Sequence, residues 1–320
     1  MHLTLRQLKV FESVARHLNY TRAAEELHLT QPAVSMQVKQ LEESLGAALF
    51  EQLGKRIHLT ETGKEVLTYA RNITQQLDEL EAVLNHQKGL SGGRLRVSVA
   101  TTANYFVPIL LGSFSRRHPD ITVSLDVTNR ETLLRQLSEN LVDLVIMGRP
   151  PAEADVEAEV FMENPLVIVA PPDHPLAREK KIPLRRLQEE VFLVREPGSG
   201  TRIAMERFFA ERGMHLKTGM EVGSNEAIKQ SVQAGLGLGL LSRATVDQEL
   251  ALGQLVVLDV AEFPIMRHWY MVHRRGKRLS PVARAFRDFV LSEATHLIGH
   301  HAPQSTSSRR VNRQGPHRPE

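Results

Sequence analysis

Thr21-Arg-Ala-Ala-Glu-Glu-Leu-His-Leu-Thr-Gln-Pro-Ala-Val-Ser-Met-Gln-Val-Lys-Gln-Leu-Glu42 reads as two short helices joined by a tight turn. Thr30 suits the N-cap of the second helix, and Pro32 is tolerated in its first turn. Leu29 and Val34 have the spacing of a hydrophobic staple. Val34, Val38 and Leu41 then face a core, which turns Gln31, Ser35, Gln37 and Lys39 outward. A helix pair with a polar outer face on its second member is a helix-turn-helix, which lays that helix in the DNA major groove.

Upstream, Leu5, Leu8, Val10, Phe11, Val14, Ala15 and Leu18 form a helical stripe, and Thr21 is a candidate cap for the next helix. Downstream, Gly46 suits a helix C-cap. Residues 49–60 fit a hairpin, a wing whose tip carries Lys55 and Arg56. Residues 62–88 read as one long helix. Val66, Ala70, Ile73, Leu77, Leu80 and Leu84 recur at spacings of 4, 3, 4, 3 and 4, a heptad seam that predicts a dimer. The bland alternative is packing of that seam onto its own domain. Gly89, Ser91, Gly92 and Gly93 make a hinge.

Beyond the hinge, strand-like runs at 94–100, 121–127, 142–147, 165–170, 191–195, 219–223, 238–241, 255–260 and 268–273 alternate with helical patterns. The helices fall at 103–117, 130–140, 184–189, 201–212, 225–234, 243–251 and 281–293. Alternation of this kind implies an α/β fold with buried, largely parallel sheets that bind ligands at the carboxyl ends of strands. The expected organisation is a winged helix-turn-helix at 1–61, a linker and dimerisation helix at 62–89, an effector domain at 90–295 and a polar, disordered tail at 296–320.

Bulk properties narrow the function classes. No apolar run approaches the roughly 18 residues of a membrane span, and the amphipathic start is unlike a signal peptide. A cytoplasmic location and no membrane partner are the expectation. The absence of cysteine excludes disulfides, thiolate metal sites and thiol switching. The net charge of +3 is a weak sign of nucleic acid, because the tail holds four arginines against one glutamate. Residues 1–63 carry seven Lys/Arg and seven Asp/Glu, so any DNA binding there depends on local placement of charge.

Gln31, Ser35, Gln37 and Lys39 are the candidate base readers: glutamine suits adenine, lysine guanine, and serine a base or phosphate. Thr21, Arg22, Pro32 and Met36 complete the expected surface, with Lys55 and Arg56 as phosphate contacts. The candidate ligand site lies at strand-to-helix junctions carrying Thr101, Thr102, Asn129, Ser199, Thr201 and Asn225, with Arg149 nearby. Helix starts offer free N–H groups and a positive dipole end to anions, and Arg202 adds a bidentate donor. Ordinary capping is the competing explanation for these residues.

On Leu5-Arg-Gln-Leu8, Phe11, Ala23-Ala24, Leu27, Thr30-Gln-Pro-Ala-Val-Ser35, Leu41-Glu42, Leu45-Gly46, Leu49-Phe50 and Leu59-Thr-Glu-Thr-Gly63, the chain resembles LysR-type transcriptional regulators. The resemblance extends to about residue 293. It implies a type 2 periplasmic-binding-protein-like effector domain of two Rossmann-like lobes. Lobe I would be 93–163 with 268–295, lobe II 164–267, and the crossovers would lie near Glu163 and Pro264–Arg267. It also implies an operator-binding homo-oligomer (a dimer, or the tetramer usual in the family) and RNA polymerase as a further partner. Thr101, Thr102, Thr201 and Arg202 are the effector residues it favours. Met36 stands where many members have arginine and cannot bridge a guanine. The string from Gln31 to Glu42 is similar to the subgroup regulating Calvin-cycle (RuBisCO operon) genes, which implies control by an anionic metabolite such as a phosphorylated sugar or NADPH, with no bound cofactor; activation and repression both stay open, and a regulator of another metabolic operon is the alternative.

An enzyme joined to a DNA-targeting module is a rival from another class. It lacks motif support: no nucleophile, metal or dinucleotide signature stands out, and Gly235-Leu-Gly-Leu-Gly239 suits close packing better than a phosphate loop. His300-His301 has no partner at metal-ligand spacing. A second rival is a DNA-binding structural protein whose receptor fold holds nothing.

Overall fold

The computed structural model describes residues 3–54, 56–86 and 92–299. Its N-terminal unit comprises α1 (Leu5–His17), α2 (Tyr20–Glu26), α3 (Gln31–Leu45), β1 (Phe50–Leu53) and β2 (Arg56–Leu59). Thr4 and Gln7 close a reciprocal capping box on α1. The cap of α2 is Asn19, not Thr21: its side chain accepts from the Thr21 and Arg22 amides. Thr30 caps α3 through the Ala33 amide, and Gly46 ends it in the left-handed region. Val10, Val14, Ala23, Ala24, Val34 and Val38 form the core between the helices. Glu42 accepts from the Leu49 and Phe50 amides at 2.7 and 3.2 Å and so ties the wing to α3.

Helix α4 (Glu61–His86) begins against this unit. Ala70 of the expected dimer seam is fully buried with Leu8, Phe11, Leu41 and Leu49 of its own chain, and Val66 and Ile73 pack on the same cluster. The first half of the seam is therefore intramolecular. A helix whose stripe is wider than a coiled-coil seam has room for both contacts. Leu77 is half-buried and Leu80 is 53% exposed. The Leu84 side chain and Lys55 lie outside the described residues.

The rest is two α/β lobes. One sheet has the order β4-β3-β5-β12-β6, from β3 (Gly93–Ala100), β4 (Ile121–Thr128), β5 (Leu144–Met147), β6 (Val156–Glu163) and β12 (His268–Arg274). Helices α5 (Val107–Arg117) and α10 (Pro281–Gly299) cover one face around Phe106, Phe114, Trp269 and Phe286; α6 (Arg130–Ser138) covers the other through Leu133 and Leu137. The second sheet runs β11-β7-β10-β8-β9, from β7 (Leu166–Ala170), β8 (Val191–Arg195), β9 (Lys217–Val222), β10 (Leu238–Ser242) and β11 (Val256–Val257). It lies between α7 (Gly200–Ala210) and α8 (Asn225–Gln233), with α9 (Asp247–Ala251) leading into β11.

The sheets are mixed rather than largely parallel: β12 is antiparallel to β5 and β6, and β7 to β10 and β11. Strand β6 has no counterpart in the sequence reading. It is an edge strand, mostly exposed, so it lacks an apolar signature. Residues 296–299 continue α10, which corrects the expected start of the tail; 300–320 lie outside the described residues. Close packing accounts for the glycine run, since a Cβ on Gly237 would lie 2.6 Å from the Val191 carbonyl oxygen.

The lobes are joined where β6 leads to β7 and where the chain returns to β12. There the two segments pair with each other, Asn164 N–H to the Arg267 carbonyl at 2.8 Å and Leu166 with Ile265 at 2.9 and 3.0 Å.

Gly63 sits where α4 crosses the wing, and a Cβ there would lie 2.1 Å from the Leu49 carbonyl oxygen. Gly63→Ala must displace α4 or β1, at a cost of roughly 1–3 kcal/mol, the range for overpacking. Thermal unfolding should show the N-terminal unit melting earlier while the ligand lobes keep their transition; an unchanged melting curve would refute this packing.

Candidate DNA-reading surface and ligand cleft

Helix α3 turns Val34, Val38 and Leu41 inward. That fixes Gln31, Pro32, Ser35, Met36 and Lys39 as exposed and leaves Gln37 half-buried. Gln31, Ser35 and Lys39 are four residues apart and share one face. Met36 is 54% exposed beside them, an apolar surface suited to a thymine methyl rather than to a guanine edge. Lys39 lies 4.0 Å from Glu43, a solvated pair too weak to hold it from a phosphate. Thr21 and Arg22 are exposed at the start of α2, and Arg56 is exposed at the start of β2. Glu26 bonds Arg16 and His17 at 2.5 Å each and so fastens α2 to α1; the Arg16 bond chiefly holds its carboxyl below the usual range.

A cavity of about 460 Å³ lies between the lobes. Thr101, Thr102, Asn129, Arg149, Ser199 and Thr201 line it. Arg202 and Asn225 do not. On α7, Thr201 and Arg202 are about 100° apart, so when Thr201 faces the cavity Arg202 faces away. Arg202 instead pairs with Glu206 at 2.7 Å and Glu221 at 2.6 Å, both of which raise its pKa. Asn225 is 4% exposed and acts as a strut: Arg195 donates to its Oδ1 at 2.5 Å, and its Nδ2 donates to Thr102 Oγ1 at 3.4 Å. Asn129 caps α6 by accepting from the Thr132 amide. Ser199 is buried at the N-cap of α7 with no capping bond from its side chain.

The cationic groups at the cavity were missed in the sequence, except for Arg149. Arg195, 3% exposed at the end of β8, is neutralised by Glu196 at 2.7 and 2.8 Å and reaches Thr101 at 3.4 Å. Its place at a strand's carboxyl end was the available signal. Arg267, on the returning crossover, donates to the Gly200 carbonyl at 2.9 Å, while its buried Nε has no partner among the described residues. Burial, and then repulsion from Arg130 and Arg207, pushes its pKa down to about 10. It stays charged at neutral pH, so its guanidinium stands at the cavity beside the charges of Arg130 and Arg207. Burial also lowers Arg130, against the opposing charge of Glu153. An anion would relieve both effects.

The lobes also touch beside the cavity. Tyr105 follows Thr101 and Thr102 on one 3-10 turn, and its hydroxyl donates to Glu226 at 2.6 Å. Burial, then this bond, raises the Tyr105 pKa. Lys229 is buried between Glu226 and Glu249, at 2.8 Å from each. Among the described residues no group of three His, Asp or Glu could hold a metal. No described helix is long and apolar enough to cross a membrane.

Residues 5–64 match the family described as bacterial regulatory helix-turn-helix protein, lysR family, and residues 88–295 match LysR substrate binding domain. The chain is 60% identical over 297 residues, 93% of its length and 98% of the relative's, to a RuBisCO operon transcriptional regulator of Allochromatium vinosum. It resembles the regulatory domain of CcmR from Synechocystis PCC6803, solved in complex with 2-PG. That match has 45% identity and a TM-score of 0.60 over 62% of this chain and 96% of that one. A full-length OxyR variant from Pseudomonas aeruginosa aligns with a TM-score of 0.75 at 25% identity, over 93% and 95% of the two chains.

Gln31→Ala or Ser35→Ala should lower affinity for the cognate site by roughly 1–3 kcal/mol for each base edge no longer read, with little effect on unrelated DNA. Arg56→Ala should weaken binding to all sequences and reduce the salt slope by about one. Footprinting and salt titrations check both; identical protection by the Gln31 and Ser35 variants would remove α3 from recognition.

Proposed function

Because this chain belongs to the LysR family of transcriptional regulators, we propose that it controls a carbon-fixation (RuBisCO) operon in response to a small anionic metabolite bound between its lobes. The observation that carries the ligand class is Arg267, whose side chain bonds only the Gly200 carbonyl among the described residues and stands beside Arg130 and Arg207 at a cavity that also receives the start of α7. The 2-PG bound by the CcmR domain supports the same class. A volume of about 460 Å³ suits a small phosphorylated acid or sugar better than a dinucleotide such as NADPH. Thr101, Thr102, Ser199 and Thr201 supply neutral hydroxyls, and Arg267 the charge-assisted bond.

The ligand acts by differential affinity for two lobe angles. Its contacts span Thr101 and Thr102 on one lobe and Thr201 on the other, so an occupied cleft favours the arrangement that brings them together. For assembly, α4 offers Leu77 and Leu80. Leu77 also borders a groove of about 420 Å³ formed with Leu5, Arg6, Lys9, Val10, Leu27 and Leu29, which suits the helix of a second copy. The α/β lobes would add the contacts that make a tetramer.

Calorimetry with 2-PG, shikimate and inorganic phosphate tests the cleft. Arg267→Ala should lose affinity for the phosphorylated ligand by ten-fold or more, on the order of 1.5–3 kcal/mol for a hydrogen bond to a charged group. Arg202→Ala should bind as wild type does. The reverse ranking would place the site wrongly. Sedimentation of Leu77→Asp should show a smaller species than wild type, since an unpaired buried charge costs several kcal/mol; a monomeric wild type at micromolar concentration would remove the dimer.

A further inference from the structure

The two ends of α6 touch different parts of the machine. Its N-terminal end, with Asn129, Arg130 and Leu133, lines the ligand cavity. Its C-terminal end meets the linker helix: Arg71 of α4 pairs with Glu139 at 2.7 Å, and Asn140 donates to Asn72 at 3.2 Å. Arg71 is 12% and Glu139 33% exposed, so the pair is not an ordinary solvated surface contact. Arg274 of β12 reaches Asn72 at 3.4 Å, and Lys277 fixes Asn140 through its Oδ1 at 3.0 Å while binding the Val142 carbonyl at 2.7 Å. Three cations thus gather at the negative end of the α6 dipole, where they are favourable. Asn140 adopts φ 54°, a left-handed conformation that asparagine tolerates, and its amide bonds back to the Leu137 carbonyl.

Between these ends α6 is stiff. It has nine residues, roughly 14 Å of helix at 1.5 Å per residue. Leu133 and Leu137 are buried with Val142, Val145, Met147 and Val272. Leu133 belongs both to this core and to the cavity wall. A displacement imposed at Asn129 or Leu133 therefore reaches Glu139 undiminished by bending. The Arg71–Glu139 latch joins residues 68 apart in sequence and ties α4 directly to the first lobe.

We propose that α6 is the element that transmits ligand occupancy to the DNA-binding unit, with Arg71, Asn72, Glu139 and Asn140 as its latch on α4. The proposal rests on the reading of the cleft as the ligand site. Arg71 lies one residue past Ala70, which is buried in the core of the DNA-binding unit, so moving the latch moves that unit directly. None of the four latch residues lines the cavity, so they are positioning residues that act through α6.

Linkage is reciprocal, so breaking the latch must be felt at the cavity even without ligand. Hydrogen exchange on the full-length protein reads this, comparing wild type, Glu139→Gln, and the charge swap Arg71→Glu with Glu139→Arg. Glu139→Gln should lower protection of the amides at 132–134, where Asn129 caps the helix, by about fivefold or more, the lower end for coupled sites. The swap should recover it. Loss of protection confined to 136–141 would overturn the proposal. A second arm adds 2-PG. In wild type it should slow exchange at 132–134 and alter exchange along α4; in Glu139→Gln only the first change should remain. An α4 response that persists in Glu139→Gln also overturns it. Absence of 2-PG binding to wild type would count against the cleft reading and leave the ligand-free arm to decide the α6 route.

Discussion

The two crossover segments pair with each other, and much else follows from that short ladder. Asn164 bonds Arg267, and Leu166 bonds Ile265 in both directions, so the lobes are joined by backbone that is itself sheet-like. The pairing also fixes the Arg267 side chain at the cavity, against the first turn of α7. The Arg267 charge at the cavity is thus carried by a chain segment that joins the two lobes.

Two arginines at the cavity illustrate how partner placement divides structure from recognition. Arg195 is satisfied by Glu196, Asn225 and Thr101, and its work is to brace the lobes. Arg267 has one carbonyl partner and two cationic neighbours, so its charge is left for something else. The same residue type at the same cavity serves opposite ends, and the difference lies in whether a carboxylate is within reach. Arg202 makes the contrast from the surface: with Glu206 and Glu221 beside it, its charge is already neutralised.

Helix α4 has to serve more than one contact. Ala70 completes the core of the DNA-binding unit, Arg71 and Asn72 meet the first lobe, and Leu77 and Leu80 stay at least partly exposed. Consecutive residues on a helix point about 100° apart, which is why Ala70 can face the DNA-binding unit while Arg71 and Asn72 face the first lobe. The heptad spacing reported an apolar stripe correctly but could not say which body each part of it faces.

The helix-turn-helix was legible because its determinants are local: apolar spacing, Thr30, Pro32 and Gly46 act within a few residues of one another. The α/β alternation and the threonine-bearing helix starts were legible for the same reason, since strand ends and helix starts are marked in the chain, whereas the division into two lobes came from the family resemblance. Asn19 displaced Thr21 as a cap because either residue is a chemically adequate oxygen acceptor, and backbone direction chose between them. Strand β6 was hidden because an edge strand needs no apolar pattern. The exchange of Arg202 for Arg195 and Arg267 at the cleft was decided by tertiary structure alone. The face of α7 that is buried, and the crossing of two segments about a hundred residues apart, set which guanidinium meets a carboxylate and which is left without one. Sequence by itself determined that a helix-turn-helix and polar helix starts exist in this chain. Only the packing of distant segments decided where the unneutralised charge stands and which helix links it to the reader, because charge compensation is a property of neighbours in space.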